Sequence, residues 1–309
     1  EAVAIADRAL PAMEAAGDDE LTVMTLITRG VALVNEGRAI EATVALTGAR
    51  AFAERRGMLG PMLRASTNLG YALETEDPVL AFQVSREGYE RATRYGITWA
   101  SRYLLGNAFD GAFQVGEWDW AQHELQQQLS QGLETAERLW FESMDLIIGA
   151  YRGELSRAGG DRLANLAQGF DDVQYQLFPL WVQLHTALLD SRLADVIQLA
   201  DEALALGPAA ADAADIGARA ATWDGDAATA RRMLDAYSIA RPGRRTDAMR
   251  ATMGAGIAML DGRTSDARQG YLDAQSRWHE LGLPTWLALG AAVAAGERPT
   301  GSPTTSAHG

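Results

Sequence analysis

Apolar residues recur along this chain at steps of three and four positions, and strict alternation of apolar and polar residues is scarce. The first clear example has its apolar side chains at Leu21, Met24, Ile27, Val31 and Val34. This spacing places the apolar groups on one side of an α-helix, because a helix makes one turn in about 3.6 residues. A strand would require a period of two. The pattern therefore predicts an all-α protein with almost no sheet.

A short polar turn separates the helical segments and recurs at intervals of 34 to 40 residues. The turn positions are Gly37, Glu76, Gly116, Gly153, Ser191, Gly225 and Gly262. Five positions after each turn stands a small residue or a valine, at Ala42, Ala81, Ala121, Ala158, Val196, Ala230 and Ala267. Glycine accepts the left-handed dihedrals that end a helix, and a small residue lets the next helix approach closely. The repeat predicts seven antiparallel helix hairpins.

This repeat resembles the tetratricopeptide repeat family over nearly the whole chain. A further small residue twelve positions after the turn stands at Ala49, Gly88, Ala203 and Ala274. The chain departs from the family pattern in the length of its units, most of which are longer than the usual period of about 34 residues. The earlier small position of the family is kept only at Gly30, Ala218 and Ala255. The resemblance implies an α-solenoid, a right-handed superhelix of about seven hairpins.

Long, degenerate repeats of this kind resemble those of bacterial, especially actinobacterial, LuxR-type regulators and cyclase–ATPase fusions. We expect one superhelical domain over residues 1–296. Residues 1–18 have the pattern of a second helix whose partner would precede them, which suggests that the chain is part of a longer protein; the alternative is that this helix simply caps the solenoid. Residues 282–296 are predicted to form a helix that caps the stack, and residues 297–309, rich in Pro, Ser and Thr, are predicted to be disordered.

The residue inventory excludes several kinds of chemistry. The chain has no cysteine and no lysine, which removes thiolate sites and the lysine of a phosphate-binding loop. A G-x-S-x-G nucleophile elbow is absent. The four histidines, His123, His185, His279 and His308, do not stand at metal-chelating spacings. We therefore predict no enzymatic activity, no cofactor and no metal.

The net charge of −14 argues against direct binding of nucleic acid, because phosphate recognition depends on cationic side chains. The dense basic cluster, RPGRR at 241–245, contains Pro and Gly and is predicted to be a solvated connecting loop. The chain lacks an apolar run long enough to span a membrane and a secretory signal at its first residues. These features predict a cytoplasmic protein that does not associate with membranes.

Aromatic residues are concentrated between Tyr95 and Trp181, which hold 14 of the 23 in the chain. In tetratricopeptide stacks the first helix of each hairpin lines the concave face, so the resemblance implies a groove there. Counting back from each turn, its predicted lining is Tyr103, Asn107, Asp110, Phe113, Trp140, Met144, Tyr151, Phe178, Trp181, His185, Arg219 and Trp223. Aromatic rings with a few convergent polar groups are typical of peptide and small-molecule sites. The alternative interpretation is that these rings pack between helices.

The expected function is that of a non-catalytic binding scaffold. Its groove would take a protein or peptide partner, or a small-molecule inducer, and the resemblance implies the sensing module of a larger bacterial regulatory protein. Because lysine is absent, the family's grip on a terminal carboxylate is not expected, and an apolar or mixed ligand is favoured. Two alternatives stay open. One is a self-contained assembly adaptor with contacts on its exposed edges, and the other is an enzyme whose hairpins close into an α/α toroid around acidic residues.

Overall fold

The computed structural model of the protein describes residues 1–154 and 156–295, with side chains up to residue 291. In these residues the chain is all-α, with sixteen α-helices and no strand, which confirms the predicted fold class. The right-handed superhelical path stays a prediction. Residues 297–309, which the sequence predicts to be disordered, lie outside the described residues. None of the described helices is both long enough and apolar enough to cross a membrane.

The helices follow one another along the chain with short connections. They are α1 (Ala2–Ala16), α2 (Asp19–Asn35), α3 (Ala39–Arg55), α4 (Leu59–Leu73), α5 (Pro78–Arg94), α6 (Thr98–Val115), α7 (Trp118–Leu129), α8 (Thr135–Tyr151), α9 (Arg157–Ala167), α10 (Val173–Leu189), α11 (Leu193–Ala205), α12 (Ala213–Asp224), α13 (Ala227–Ala236), α14 (Arg244–Leu260), α15 (Thr264–Glu280) and α16 (Pro284–Ala295). Two single turns of 3-10 helix, Pro208–Ala210 and Tyr237–Ile239, precede α12 and follow α13.

Each of the seven predicted turns lies between two consecutive helices, from α2 and α3 to α14 and α15. The backbone is left-handed at six of them, with φ between 57° at Ser191 and 89° at Gly153. Ser191 is the one residue other than glycine with positive φ in the described part of the chain. At the remaining turn, around Glu76, Asp77 caps α5 instead, because its carboxylate accepts a hydrogen bond of 3.0 Å from Leu80 N.

Small residues let the paired helices come close together. A Cβ on Gly30 would lie 2.6 Å from Leu46 Cγ in the next helix, so only glycine fits at this position of α2. Six of the seven residues that follow the turns by five positions are buried, as predicted. Ala158 is the exception, because it is exposed near the start of α9. The small residue that allows the close approach of α9 to α8 is instead Gly159, where a Cβ would lie 2.9 Å from Leu146 Cδ1 of α8.

The chain packs into two compact units. Unit 1 comprises Glu1–Gly116, Arg241–Arg245 and Leu281–Leu283. Unit 2 comprises Glu117–Ala240, Thr246–Glu280 and the described residues from Pro284 onward. The expectation of a single domain over residues 1–296 stays a prediction.

Unit 1 is a stack of helices in which α1 packs on α2 and each later helix packs on its predecessor up to α6. The first helices of its hairpins, α2, α4 and α6, also lie side by side. The fully buried side chains of its core include Ile27, Leu33, Leu46, Leu63, Leu104 and Leu105. This arrangement puts one face of α4 and one face of α6 next to each other at the surface of the unit.

Unit 2 repeats the arrangement with α8, α10 and α12 as neighbouring first helices. Its core includes Phe141, Ile148, Tyr237 and Trp278, all fully buried. The indole N–H of Trp278 donates to Thr252 Oγ1 over 3.1 Å and joins α15 to α14. Helix α16 packs on α15 and also reaches α12. It therefore lies over a first helix of the stack.

Candidate binding site

The first helices of unit 1 form a surface that we call the α4–α6 groove, defined by Tyr71 on α4 and by Tyr103, Asn107, Asp110 and Gln114 on α6. The Asn107 amide donates a hydrogen bond of 2.8 Å to the Thr67 carbonyl, which joins the two helices. Between them lies a cavity of about 30 Å³ lined in part by Tyr71, Asn107, Asp110 and Gln114. That volume holds about one water molecule, so ligands would bind on the groove rather than inside it.

Two aromatic side chains stand out from this groove. Tyr71 is 44% exposed and Tyr103 is 57% exposed, so about half of each residue is in contact with solvent. The floor beneath them is tight, because a Cβ on Gly111 would lie 2.6 Å from Phe82 Cβ of α5. The groove is therefore a rigid surface that presents aromatic faces to the solvent.

The basic segment 241–245 is packed onto unit 1, so the predicted solvated loop is wrong. Arg245 is 5% exposed, and its backbone N–H donates to the Thr75 carbonyl over 2.8 Å. The Thr75 hydroxyl donates to the Pro242 carbonyl over 3.1 Å. The Pro and Gly of this basic segment suggested a solvated loop, but the end of α4 offers carbonyl and carboxylate acceptors to it. These acceptors hold the segment in place.

Arg241 shows how the end of the groove binds a guanidinium. Its Cζ atom lies 3.9 Å from the centroid of the Tyr71 ring, a close cation–π contact. The same group donates to the Tyr71 carbonyl over 2.9 Å and to the Glu74 carboxylate. An aromatic face, a carbonyl and a carboxylate therefore receive one arginine together.

Unit 2 carries a polar cluster on three neighbouring first helices. It consists of Tyr151 on α8, His185 on α10, and Asp215 with Arg219 on α12. Tyr151 and His185 share a hydrogen bond of 3.0 Å between the phenol oxygen and Nδ1. Arg219 donates to Asp215 over 2.7 Å, and the two side chains are only 5% and 4% exposed. Trp286 of α16 lies over the guanidinium, 5.3 Å from Cζ to the ring centroid.

The electrostatics of the polar cluster keep its titratable rings neutral at physiological pH. Desolvation lowers the pKa of His185 to about 3, and the positive charge of Arg219 acts in the same direction. Desolvation also raises the pKa of Tyr151 to about 12. The hydrogen bond between the Tyr151 oxygen and His185 Nδ1 therefore joins two neutral groups, and the imidazole tautomer determines which of them donates. The cluster thus holds one buried ion pair beside two uncharged rings.

A row of aromatic rings lies at the other end of α8 and α10. Trp140 and Phe178 stack with centroids 6.1 Å apart and planes 9° apart. Tyr175 meets Phe178 edge to face at 5.9 Å, and Phe170 lies 4.7 Å from Tyr175. These rings are half-buried. Mutual stacking therefore explains much of the aromatic concentration that the sequence shows.

The twelve predicted groove residues fall in both units. Unit 1 holds Tyr103, Asn107, Asp110 and Phe113, and unit 2 holds Trp140, Met144, Tyr151, Phe178, Trp181, His185, Arg219 and Trp223. Four of them are buried, namely Phe113, Met144, Arg219 and Trp223, and these contribute to packing rather than to an open groove. Tyr103 and Asp110 are exposed, and the other six are half-buried. A role in ligand binding stays a prediction for all twelve.

Several residues of these surfaces were not found from the sequence. Tyr71 stands at a position that counting back from the turns did not select, and Glu74 was not selected although it stands two residues before its turn, as Tyr151 and Trp223 do. Asp215 precedes Arg219 by four residues, and that spacing of opposite charges on a helix was an available signal. No group of three or more acidic or histidine side chains suited to a metal ion occurs among the described residues.

Comparison with known proteins adds no family to this description. A scan of the chain against protein-family models finds no match, and a search of curated proteins finds none. The tetratricopeptide resemblance therefore rests on the spacing of turns and small residues, and membership of that family stays a prediction.

Proposed function

We propose that the protein is a non-catalytic binding scaffold whose α4–α6 groove recognises a protein or peptide segment that carries an arginine beside an apolar residue. The exposed rings of Tyr71 and Tyr103 provide the apolar contact, because tyrosine buries a large area at a low cost in side-chain entropy. The groove offers phenol, amide and carboxylate groups, which suit recognition rather than catalysis.

The contact of Arg241 with Tyr71 is the observation that carries this proposal. It supports the proposal because an aromatic face and a carboxylate at the end of the groove contact one guanidinium together. Tyr103 and Asp110 place a second aromatic ring and a second carboxylate on the neighbouring helix. The net charge of −14 also favours a cationic partner and speeds its approach.

The proposal includes the regulatory role that the resemblance implies. Each hairpin of a repeat stack contacts mainly its neighbours, so a partner that binds several hairpins changes the angles between them, and these changes add up. A cytoplasmic sensing module of a larger regulatory protein would use such a change to report that its partner is bound.

Selection from a random octapeptide library on the intact protein tests the proposed function. We expect enrichment of peptides with arginine next to an aromatic or aliphatic residue. Labelled peptides from the selection should lose at least about tenfold in affinity, roughly 1.4 kcal/mol, for the variant Tyr103→Ala in fluorescence anisotropy. Asp110→Asn should weaken the arginine peptides more than versions in which glutamine replaces the arginine.

The matched control is Tyr95→Ala, since Tyr95 is 63% exposed and belongs to unit 1 but stands at the end of α5, away from the groove. It should bind the selected peptides like the unchanged protein. A selection without arginine enrichment, or binders equally affected by the Tyr95 and Tyr103 variants, would contradict the proposal.

A further inference from the structure

A second surface, in unit 2, differs from the groove in both size and chemistry. A polar cleft of about 290 Å³ opens between α9 and α11, with α10 as its floor. Its volume is close to the lower end of the range of small-molecule pockets, about 300–1,000 Å³. The side chains that define this polar cleft are Arg157 and Asp161 of α9, Gln183 and Thr186 of α10, and Arg192 and Asp195 of α11.

Two adjacent glycines shape the α9 side of the cleft. Gly159 lets α9 lie close to α8, since a Cβ there would meet Leu146 at 2.9 Å. Gly160 lines the cleft, and a Cβ on it would lie 3.4 Å from Gln183 Cγ on the floor. Any larger side chain at residue 160 would project over the floor. The glycine therefore keeps the cleft open.

The floor of the cleft has hydrogen-bonding capacity that the described part of the chain does not use. Thr186 is 4% exposed, yet its hydroxyl makes no hydrogen bond there, and neither does the amide of Gln183. Other helical threonines of the unit donate to the carbonyl four residues back, as Thr222 does over 2.8 Å. Both groups line the cleft, so this floor is suited to a polar ligand.

The charges of the cleft alternate along both of its walls. On α9, Asp161 follows Arg157 by four residues, and on α11, Asp195 follows Arg192 by three. Each wall therefore has a guanidinium and, about one helical turn or 5.4 Å further along, a carboxylate. Asp190, which pairs with both arginines, adds a third negative charge to the two positive and two negative formal charges of these side chains. Such a cleft favours a ligand that itself carries both signs.

The two guanidiniums are held in position by one carboxylate. Arg157 donates to Asp190 Oδ2 from Nε over 2.8 Å and from a terminal nitrogen over 2.6 Å. Arg192 donates to the same oxygen from Nε over 3.4 Å and also pairs with Asp195. The Asp190 side chain is itself mostly shielded from solvent. Groups fixed in this way lose little further freedom when a ligand binds.

We propose that the polar cleft binds a small zwitterion with a carboxylate and an ammonium group, of the size of a free amino acid. The arginines receive the carboxylate, for which their planar donors are suited. Asp161 receives the ammonium group one helical turn away, and Gln183 and Thr186 bond the polar atoms between. The site lies in unit 2 and uses none of the groove residues, so it stands independently of the proposed function.

Isothermal titration calorimetry on the intact protein, with each of the twenty standard L-amino acids as probe, tests the proposal. We expect at least one amino acid to bind with a Kd below about 1 mM. Its N-acetyl derivative, which lacks the ammonium charge, and its carboxamide, which lacks the carboxylate, should each bind at least tenfold more weakly. No binding at about 10 mM would overturn the proposal. Equal binding of the N-acetyl form would also overturn it, because that result describes a simple anion site.

Variants locate the binding in the cleft. Arg192→Gln and Asp161→Asn should each weaken the best amino acid at least tenfold, and Asp161→Asn should leave the weak binding of the N-acetyl form unchanged. Gly160→Leu should abolish binding by filling the cleft. Arg162→Gln is the matched control, since Arg162 is on the same helix but pairs with Glu142.

Melting temperature and circular dichroism show whether Gly160→Leu keeps its fold. If that variant does not fold, Asp161→Asn, a substitution at an exposed residue, still tests whether the amino acid binds in the cleft. Undiminished binding in Asp161→Asn, or in a folded Gly160→Leu, would overturn the proposal.

Discussion

Helix α6 of unit 1 and the first helices of unit 2 have different environments at equivalent repeat positions. Thirteen residues before the turn, unit 1 has Tyr103, which is exposed, whereas unit 2 has Trp140 and Phe178, which stack on each other. Six residues before the turn, unit 1 has the exposed Asp110. Unit 2 has His185, whose pKa shows its desolvation, and the buried Arg219.

The difference comes from what covers the first helices in each unit. In unit 2, Trp286 of α16 lies on Arg219, and Trp118 of α7 meets the ring of Tyr151 edge to face at 5.9 Å. In unit 1, Tyr103 is 57% exposed, and the end of the α4–α6 groove receives Arg241. The position of a residue in the repeat thus identifies the helix face on which it lies. The segments that pack nearby determine whether that face is exposed to solvent or buried.

The largest expected effect concerns the buried ion pair of unit 2. Asp215→Ala leaves the charge of Arg219 buried without its carboxylate, which should lower the free energy of unfolding by about 3–5 kcal/mol. Urea denaturation measures this loss. Arg277→Gln breaks the exposed pair with Asp273 and should cost less than about 1 kcal/mol. Similar losses in the two variants would show that the pair is not desolvated as described.

The pH dependence of unit 2 should come next in size. The pKa of His185 is about 3 in the folded protein, against 6.5 for an exposed imidazole, so the unfolded chain binds the extra proton between these values. Stability should therefore fall as the pH drops from 6.5 towards 3, by up to about 1.4 kcal/mol per unit from this residue.

Denaturant titrations between pH 7 and pH 4 measure this slope. His185→Gln should flatten it, whereas His123→Gln, at an exposed histidine of α7, should leave it unchanged. An unchanged slope in His185→Gln would mean that the imidazole is already accessible to protons in the folded state.

Substitution at matched repeat positions tests the comparison directly. Trp140→Ala removes stacking on Phe141 and Phe178 and should cost about 2–3 kcal/mol, less than a fully buried tryptophan. Tyr103→Ala should change stability by no more than about 0.5 kcal/mol, because its side chain is mainly in solvent. Chemical denaturation gives both values. Equal losses would show that the two faces are packed alike.

The smallest expected effect concerns the segment 241–245 of unit 1. A Cβ on Gly243 would lie 2.5 Å from the Thr75 carbonyl oxygen, so Gly243→Ala must displace the segment and should cost about 1 kcal/mol. Gly48→Ala in α3 is the control, with open space around its Cβ, and should be neutral or stabilise by up to about 1 kcal/mol. Thermal melting compares the two, and a stable Gly243→Ala would show that the segment is loosely held.

Much of the architecture was predictable, because its determinants are local. A turn glycine such as Gly116 and a small residue such as Ala121 act within a few residues of where they stand. The groove was predictable only in part. Tyr103 and Asp110 are exposed as expected, whereas Phe113 and Met144 are buried, since the counting scheme cannot distinguish the exposed edge of a helix from the side that meets its neighbour.

The sequence by itself determined the helical class and the seven turns, since both follow from dihedral preferences and from the periodic placement of apolar side chains. Only the tertiary structure decided the contacts of Arg241 and His185, whose partners are distant in the chain, and the contact of Arg219 with Trp286. Glu74 is 167 residues from Arg241, and Tyr151 is 34 from His185. Charge and burial at such positions depend on which segments meet, and local periodicity carries no information about that.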